Sequence, residues 1–281
     1  MEDNKKSRRK FLQIAGGTVA AGVAAPVLVR ASSGHEAPSG KQWGMVIDAR
    51  KCDGCTKCID ACHVAHNVPW FQDAQGKLYK DKERAIPWPH RENQEIKWIW
   101  KEPYEGVFPD QQHGFTIKKF HGHPFAIMCN HCANPSCVRV CPPQATWKRK
   151  SDGIVMMDMH RCIGCRYCIV ACPYGSRSFN FFAPWPRPHT AETGTPPNDK
   201  FPTRKKGAVE KCNFCAELLA EAQREGKESY TPACVAVCPN NSLVFGDVSD
   251  PNSAVRKLLD ENHTIVRKPA LGTGPQIYYI V

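Results

Sequence analysis

The placement of the cysteines constrains this chain more than any other feature. Its 281 residues include sixteen cysteines. They fall without remainder into four groups: Cys52, Cys55, Cys58 and Cys62; Cys129, Cys132, Cys137 and Cys141; Cys162, Cys165, Cys168 and Cys172; and Cys212, Cys215, Cys234 and Cys238. Each group opens with C-x2-C and closes with C-x3-C. The closing pair therefore lies one helical turn apart on one face, and the opening pair needs a tight loop whose amides can face sulfur. Pro142, Pro173 and Pro239 directly follow three of the groups, where proline ends a helical turn; group one has His63 instead, so its turn is free to continue.

The chain also repeats itself. Residues 45–62, MVIDARKCDGCTKCIDAC, match 155–172, VMMDMHRCIGCRYCIVAC, at eight of eighteen positions. Four of those matches are not cysteine: Asp48 with Asp158, Gly54 with Gly164, Ile59 with Ile169 and Ala61 with Ala171. PSCVRVCP (135–142) matches PACVAVCP (232–239), and CNHC matches CNFC, so the groups alternate A-B-A-B.

Groups one and three place three thiols within seven residues, enough to cap three corners of a cube, while the fourth points away. In that run the fourth cysteine serves the neighbouring [4Fe–4S] cluster. Group two turns at Asp152-Gly153 into the apolar run Ile154–Met157 and leaves twenty residues between Cys141 and Cys162, about the middle of a two-cluster ferredoxin. Groups two and three then form one module, and groups one and four a second wrapped around it. The expected fold class is α+β: two nested bacterial-ferredoxin-like modules of two [4Fe–4S] clusters each, with long loop insertions. Cluster 1 would be held by Cys52, Cys55, Cys58 and Cys238, and cluster 2 by Cys212, Cys215, Cys234 and Cys62. Cluster 3 would be held by Cys129, Cys132, Cys137 and Cys172, and cluster 4 by Cys162, Cys165, Cys168 and Cys141. The outer module covers 45–62 plus 207–245 and the inner one 125–181. Residues 63–124 are an insertion, 182–206 a proline-rich loop and 246–281 a C-terminal tail.

Two other uses of cysteine compete. Disulfides are usual outside the cytoplasm, but thiols this crowded would pair too promiscuously to specify one fold. A zinc-stabilised binding module is the rival from another class, since group four alone would pass as a zinc ribbon. Groups one and three would not, because a ribbon has no use for the third close thiol. No C-x-x-C-H occurs, so this chain carries no covalent c-type haem.

Ser7-Arg8-Arg9-Lys10-Phe11-Leu12 leads into an uncharged stretch, Gln13 to Val29, and then Val29-Arg30-Ala31. Residues 1–31 thus resemble a twin-arginine export signal, the alternative being an N-terminal membrane anchor. Export of the folded chain with metal already in place explains how so many thiols survive outside the cytoplasm, and the expected location is periplasmic, peripheral to the inner membrane. The formal charge is +11, yet residues 1–31 hold six of the 38 Lys and Arg and two of the 27 Asp and Glu, leaving 32 and 25, or +7, for the rest. Four clusters at about −2 each would bring the total to about −1, so no nucleic-acid partner is expected.

Elsewhere, Ile96 to Trp100 reads as a strand, and the aromatics of WFQ, IPWPH and IKWIW as the core of the insertion. His63, His66 and His131 stand near cysteines that already fill every cluster corner, so they are expected to face solvent or support the ligands. Lys57, Arg139 and Arg166 flank ligands and would raise local potentials if they pointed inward, although exposure is expected.

These residues resemble the four-cluster iron–sulfur subunits of the dimethyl-sulfoxide-reductase type. That resemblance covers most of 45–245 and implies the same sharing of clusters between groups one and four and between two and three. Within it, QATWKRKSDGIVMMDMHRCIGCRYCIVACPYGSRSFNF and the export signal are most similar to the DsrO branch, periplasmic subunits of the Dsr transmembrane complex of dissimilatory sulfur metabolism. The resemblance implies an electron-transfer subunit, not an enzyme, with four [4Fe–4S] clusters and no small-molecule substrate of its own. It implies an NrfD-type polytopic quinone-interacting membrane partner and, for the Dsr complex, a multihaem cytochrome c. The alternative within the class is the wiring subunit of a molybdopterin reductase for tetrathionate, thiosulfate or polysulfide.

Overall fold

Strand β1 (Trp43–Asp48) leads directly into group one, and all six of its residues are buried. A strand covered on both faces reads as a continuous apolar run, which WGMVI supplies. Met45 and Ile47 face the main core, while Val46 meets Val255 and Ile280 in a smaller one. The computed structural model describes residues 40–68, 96–111, 118–181, 198–201, 205–227 and 229–281, including all sixteen cysteines. The expected signal at 1–31 and much of the 63–124 insertion and 182–206 loop lie outside the described residues.

After β1 come α1 (Lys57–Ala65), β2 (Ile99–Pro103), α2 (Tyr104–Val107), β3 (Pro124–Met128), α3 (Ser136–Arg139), β4 (Thr146–Lys148), β5 (Val155–Met157) and α4 (Tyr167–Val170). Then follow β6 (Ser178–Phe179), β7 (Val209–Glu210), α5 (Ala216–Arg224), α6 (Ala233–Ala236), β8 (Leu243–Asp247), α7 (Ala254–Glu261), β9 (Thr264–Ile265) and β10 (Ile277–Ile280). The result is a mixed α/β fold of short helices and small sheets. A four-stranded sheet has the order β8-β1-β10-β9, and the pairs β2-β3, β4-β5 and β6-β7 are each antiparallel. Among the described residues, no helix is long and apolar enough to cross a membrane.

β1, which precedes group one, pairs antiparallel with β8, which follows group four. The β4-β5 pair joins groups two and three around the Asp152-Gly153 turn. Helix α1 packs against α6, and α3 against α4. Each closing C-x3-C thus sits on or beside a helix that faces the helix of another group.

Residues 246–281 were expected as a tail and instead complete the sheet. β10 runs parallel to β1, with Met45 opposite Ile277 and Asp48 opposite Ile280. α7 packs on β8 and β1, anchored by Val255, which is fully buried. Ser253 caps that helix, its Oγ accepting from Arg256 N at 3.0 Å. The stretch before β10 lies along group two: Ala133 N donates to Gly274 O at 2.7 Å and Gln276 N to Asn130 O at 2.8 Å. Lys268 Nζ donates to Pro173 O at 2.7 Å, beside group three.

The strand expected at 96–100 begins at Ile99, where pairing with Met128 starts. Lys97 N donates to Ser178 Oγ, and the Trp98 indole donates to Glu210 Oε2 while its ring stacks on His66, so this stretch is tied to other partners. Beyond β2, Tyr104, Phe108, Phe120 and Phe125 pack against one another and Tyr279. Burial of rings this size contributes on the order of 2 kcal/mol each.

Candidate metal centres

The four opening loops share one backbone feature. The residue just before the second cysteine has positive φ in each: Gly54 at 77°, His131 at 42°, Gly164 at 72° and Phe214 at 57°. Glycine suits this conformation, and a Cβ at Gly164 would also strike the carbonyl of Gly207. In groups two and four a larger residue takes the strain, which costs about 1 kcal/mol or more. Asp48 and Asp158 set up the loops in the A repeats: each carbonyl accepts from the first cysteine's N–H at 3.2 Å. Their side chains accept from Arg50 N at 3.0 Å and His160 N at 2.8 Å. The B repeats match likewise, with positive φ at Gln144 and Asn241, each three residues past the closing cysteine.

Helix lengths follow the prolines. α1 runs nine residues, through His63, whereas α3, α4 and α6 have four each.

Thiols of different groups lie close enough to act on one another's charge. Burial pushes the Cys58 thiol up to about 11, with Lys101 opposing and Cys52, Cys55 and Cys238 adding to the rise. Burial pushes Cys132 to about 12, reinforced by Cys129, Cys137 and Cys172. Cys234 is raised well above the ordinary thiol by burial and then by Cys215 and Cys212. Burial raises Cys168 too, with Cys137 and Cys162 as its thiol neighbours. Cys212, raised by burial to about 12, has Cys129 as its next influence, which brings groups two and four together.

Hydrogen-bond donors point at sulfur. Gly164 N lies 3.4 Å from Cys162 Sγ, Phe214 N 3.5 Å from Cys212 Sγ and Ser242 N 3.3 Å from Cys238 Sγ. Burial works to raise Cys238, but bonds from Ser242 and the amides of Leu243, Ser242 and Asn240 hold it below its ordinary value. Such donors stabilise thiolate and bound sulfide, so the donor set fits iron–sulfur ligation.

The three histidines near the cysteines are buried: His63 is 6%, His66 3% and His131 0% exposed, so none of these three faces solvent. His66 Nδ1 lies 3.0 Å from Cys62 O and 3.6 Å from Cys62 Sγ. His131 Nδ1 accepts from Val155 N at 3.1 Å, and burial, aided by Lys211 and Arg177, keeps its ring neutral well below the usual range. Lys57, Arg139 and Arg166 are exposed, as expected. The inward cations are others. Lys101 Nζ bonds Gly54 O and Cys55 O, Lys211 Nζ bonds Val155 O and Cys212 O, and Arg177 reaches Cys137 Sγ. Lys101 and Arg177 lie outside the cysteine runs, so spacing did not mark them.

The two A repeats differ on their outer faces. Ile163, Tyr167 and Val170 are 67%, 59% and 88% exposed, and Cys165 is the one exposed cysteine. The same repeat positions in group one carry Asp53, Lys57 and Asp60, also exposed.

All sixteen cysteines are free of disulfides. Among the described residues no three His, Cys, Asp or Glu side chains converge as a single-ion site requires. Residues 121–181 match the model of the 4Fe-4S dicluster domain. The chain is 35% identical to an Hdr-like menaquinol oxidoreductase iron–sulfur subunit 1 of Archaeoglobus fulgidus, over 97% of each protein. It is 35% identical to the menaquinone reductase iron–sulfur cluster-binding subunit of Nitratidesulfovibrio vulgaris, over 85% of this chain and 88% of that one. It is 32% identical to the arsenate respiratory reductase iron–sulfur subunit ArrB of a Shewanella species, over 84% of this chain and 95% of that one. With its paired thiol groups and its sulfur-directed amides, the chain belongs to this family of iron–sulfur electron-transfer subunits of oxidoreductase complexes, and is not their catalytic subunit.

Proposed function

We propose that the chain holds four [4Fe–4S] clusters in two nested ferredoxin-like modules and relays electrons between a quinone-interacting membrane subunit and a second redox protein. The observation that supports this is the left-handed residue before the second cysteine in all four C-x2-C loops, and the influence of Cys238 on Cys58 and of Cys172 on Cys132 favours pairing group one with four and two with three. Cys52, Cys55, Cys58 and Cys238 hold the first cluster; Cys212, Cys215, Cys234 and Cys62 the second; Cys129, Cys132, Cys137 and Cys172 the third; and Cys162, Cys165, Cys168 and Cys141 the fourth. Each cluster, when bound, takes up and returns one electron at a time. The chain's own part is to orient the thiolates, exclude water and set potential through amides and buried charge.

The membrane partner is of the NrfD type, and it docks on group three, which exposes Cys165 together with Ile163, Tyr167 and Val170. The matching positions in group one, Asp53, Lys57 and Asp60, carry solvated charges, a contrast that supports a partner for the apolar face of group three. The resemblance of residues 1–31 to a twin-arginine signal supports a location outside the cytoplasmic membrane, and the stretch around group three favours the Dsr branch with its multihaem cytochrome c. The relative named arsenate respiratory reductase subunit supports a second reading, the wiring of a molybdopterin reductase.

Iron and acid-labile sulfide assays on anaerobically purified protein test the first claim: about sixteen of each per chain are expected. Zinc in their place would end it. Purifying the intact complex tests the second: haem with the membrane subunit supports the Dsr reading, and a molybdenum subunit replaces it.

A further inference from the structure

Arg177 lies five residues past Cys172, outside every cysteine group, and is 4% exposed. Its Nη2 donates to Cys137 Sγ at 3.1 Å, and its Nη1 donates to Thr146 Oγ1 at 3.1 Å and lies 3.8 Å from Met157 Sδ. Thr146 and Met157 face each other across β4 and β5, so the inner hairpin aims the guanidinium. Among the described residues, no carboxylate pairs with it; the anionic groups that act on its charge are the thiols of Cys137, Cys168 and Cys129.

Arginine does not lose its proton in proteins, and a buried cation needs a counter-charge. Here only thiolates can supply one. Cys137 and Cys129 belong to the set closed by Cys172, and Cys168 to the set closed by Cys141, so the guanidinium stands between both inner sets. No guanidinium reaches sulfur at the matching place in the outer repeat, and the buried cation beside group four, Lys211, donates to Val155 O and Cys212 O and not to sulfur. The matching position, 110 residues earlier, is Asn67, whose amide instead holds Asn198 through bonds of 2.7 and 2.9 Å. Lys101, beside group one, bonds two carbonyl oxygens and is only part-buried.

We propose that Arg177 is the fixed counter-charge of the inner pair and raises the reduction potentials of the two clusters held there. Reduction adds negative charge next to a cation that water does not screen, so the reduced state gains more than the oxidised state. The proposal rests on the four-cluster reading above.

The test is a redox titration of the full-length, cluster-loaded chain with dithionite as reductant, followed by electron paramagnetic resonance. In Arg177→Gln, two of the four midpoints should stay and two should fall. At the native midpoint the reduced-to-oxidised ratio of those two should drop about tenfold or more, a shift of about 59 mV for one electron. Arg177→Lys keeps the charge and should hold all four near native values. The proposal is overturned by four unmoved midpoints in a fully loaded Gln variant, by an equal fall in all four, or by a Lys variant that falls as far as Gln. If the Gln variant does not assemble fully, loss of the inner two clusters alone with the Lys variant intact supports the counter-charge role, whereas equal loss in both variants overturns it. Iron content of the unaltered chain separates the two claims: well under about sixteen irons defeats the four-cluster reading, whereas full loading with unmoved potentials defeats only the role of Arg177.

Discussion

His131 and Phe214 stack face to face, with ring centroids 3.7 Å apart and planes inclined by 16°. They occupy the same place in their repeats, the left-handed residue of CNHC and of CNFC. The two positions that give up glycine in this strained loop are therefore the two that pack on each other, and they do so where groups two and four meet. Phe214 is 1% exposed and also meets Phe245 edge-on, so the stack joins the inner and outer cysteine groups through the main core.

Phe214→Ala should accordingly destabilise the loaded chain by about 3–5 kcal/mol, the usual cost of deleting a buried ring. Thermal unfolding under anaerobic conditions measures it. A loss below about 1 kcal/mol would mean that the junction is held by something else.

Gly164→Ala should also destabilise, by about 2 kcal/mol or more, because the added Cβ meets both an unfavourable φ and the Gly207 carbonyl. Alanine at Gly175, which also has positive φ but nothing within 4 Å, should cost less. Denaturant midpoints of the two variants rank the strain against the collision.

Stability of the iron-free chain should peak between about pH 6.5 and 9. Burial raises the thiols of Cys58, Cys132, Cys212 and Cys215 from 9.0 to about 11–12, so the folded form holds protons that the unfolded form gives up. Their contribution is fully present below pH 9 and lost as the pH rises through 11–12. His131 acts with the opposite sign: its folded value lies below 6.5, so its contribution is present above 6.5 and lost on acidification. Thermal midpoints of reduced, iron-free protein across this range check both limbs. Loading should release protons, since thiols raised this far are protonated near neutrality, and an indicator dye in weak buffer reads that release.

Tyr167→Asp combined with Val170→Asp should abolish co-purification with the membrane subunit while leaving iron content and unfolding midpoint unchanged, because both side chains face solvent in the isolated chain. Lys57→Gln with Asp60→Asn at the matching outer positions is the control and should leave the complex intact. Equal behaviour of the two pairs would remove the docking role from group three.

Cys168→Ser should lower iron content by about four per chain and leave the outer sets loaded. A full complement of iron in that variant would show that Cys168 is not a ligand.

The sequence by itself determined the local units. Cysteine spacing, the Asp and Gly positions of the A repeats and the prolines closing three groups act within a few residues of each other. The tight loops and unequal helix lengths were therefore legible before any tertiary contact was known. Tertiary structure decided what those units meet. Nothing local marks 246–281 as sheet and strap, since pairing of β10 with β1 joins Met45 to Ile277 across most of the chain. Nor does any spacing mark Arg177 or Lys101, which carry their charge to the thiols from separate segments. A short repeat fixes backbone shape through bonds between near neighbours, whereas burial and counter-charge depend on surfaces that only the folded chain brings together.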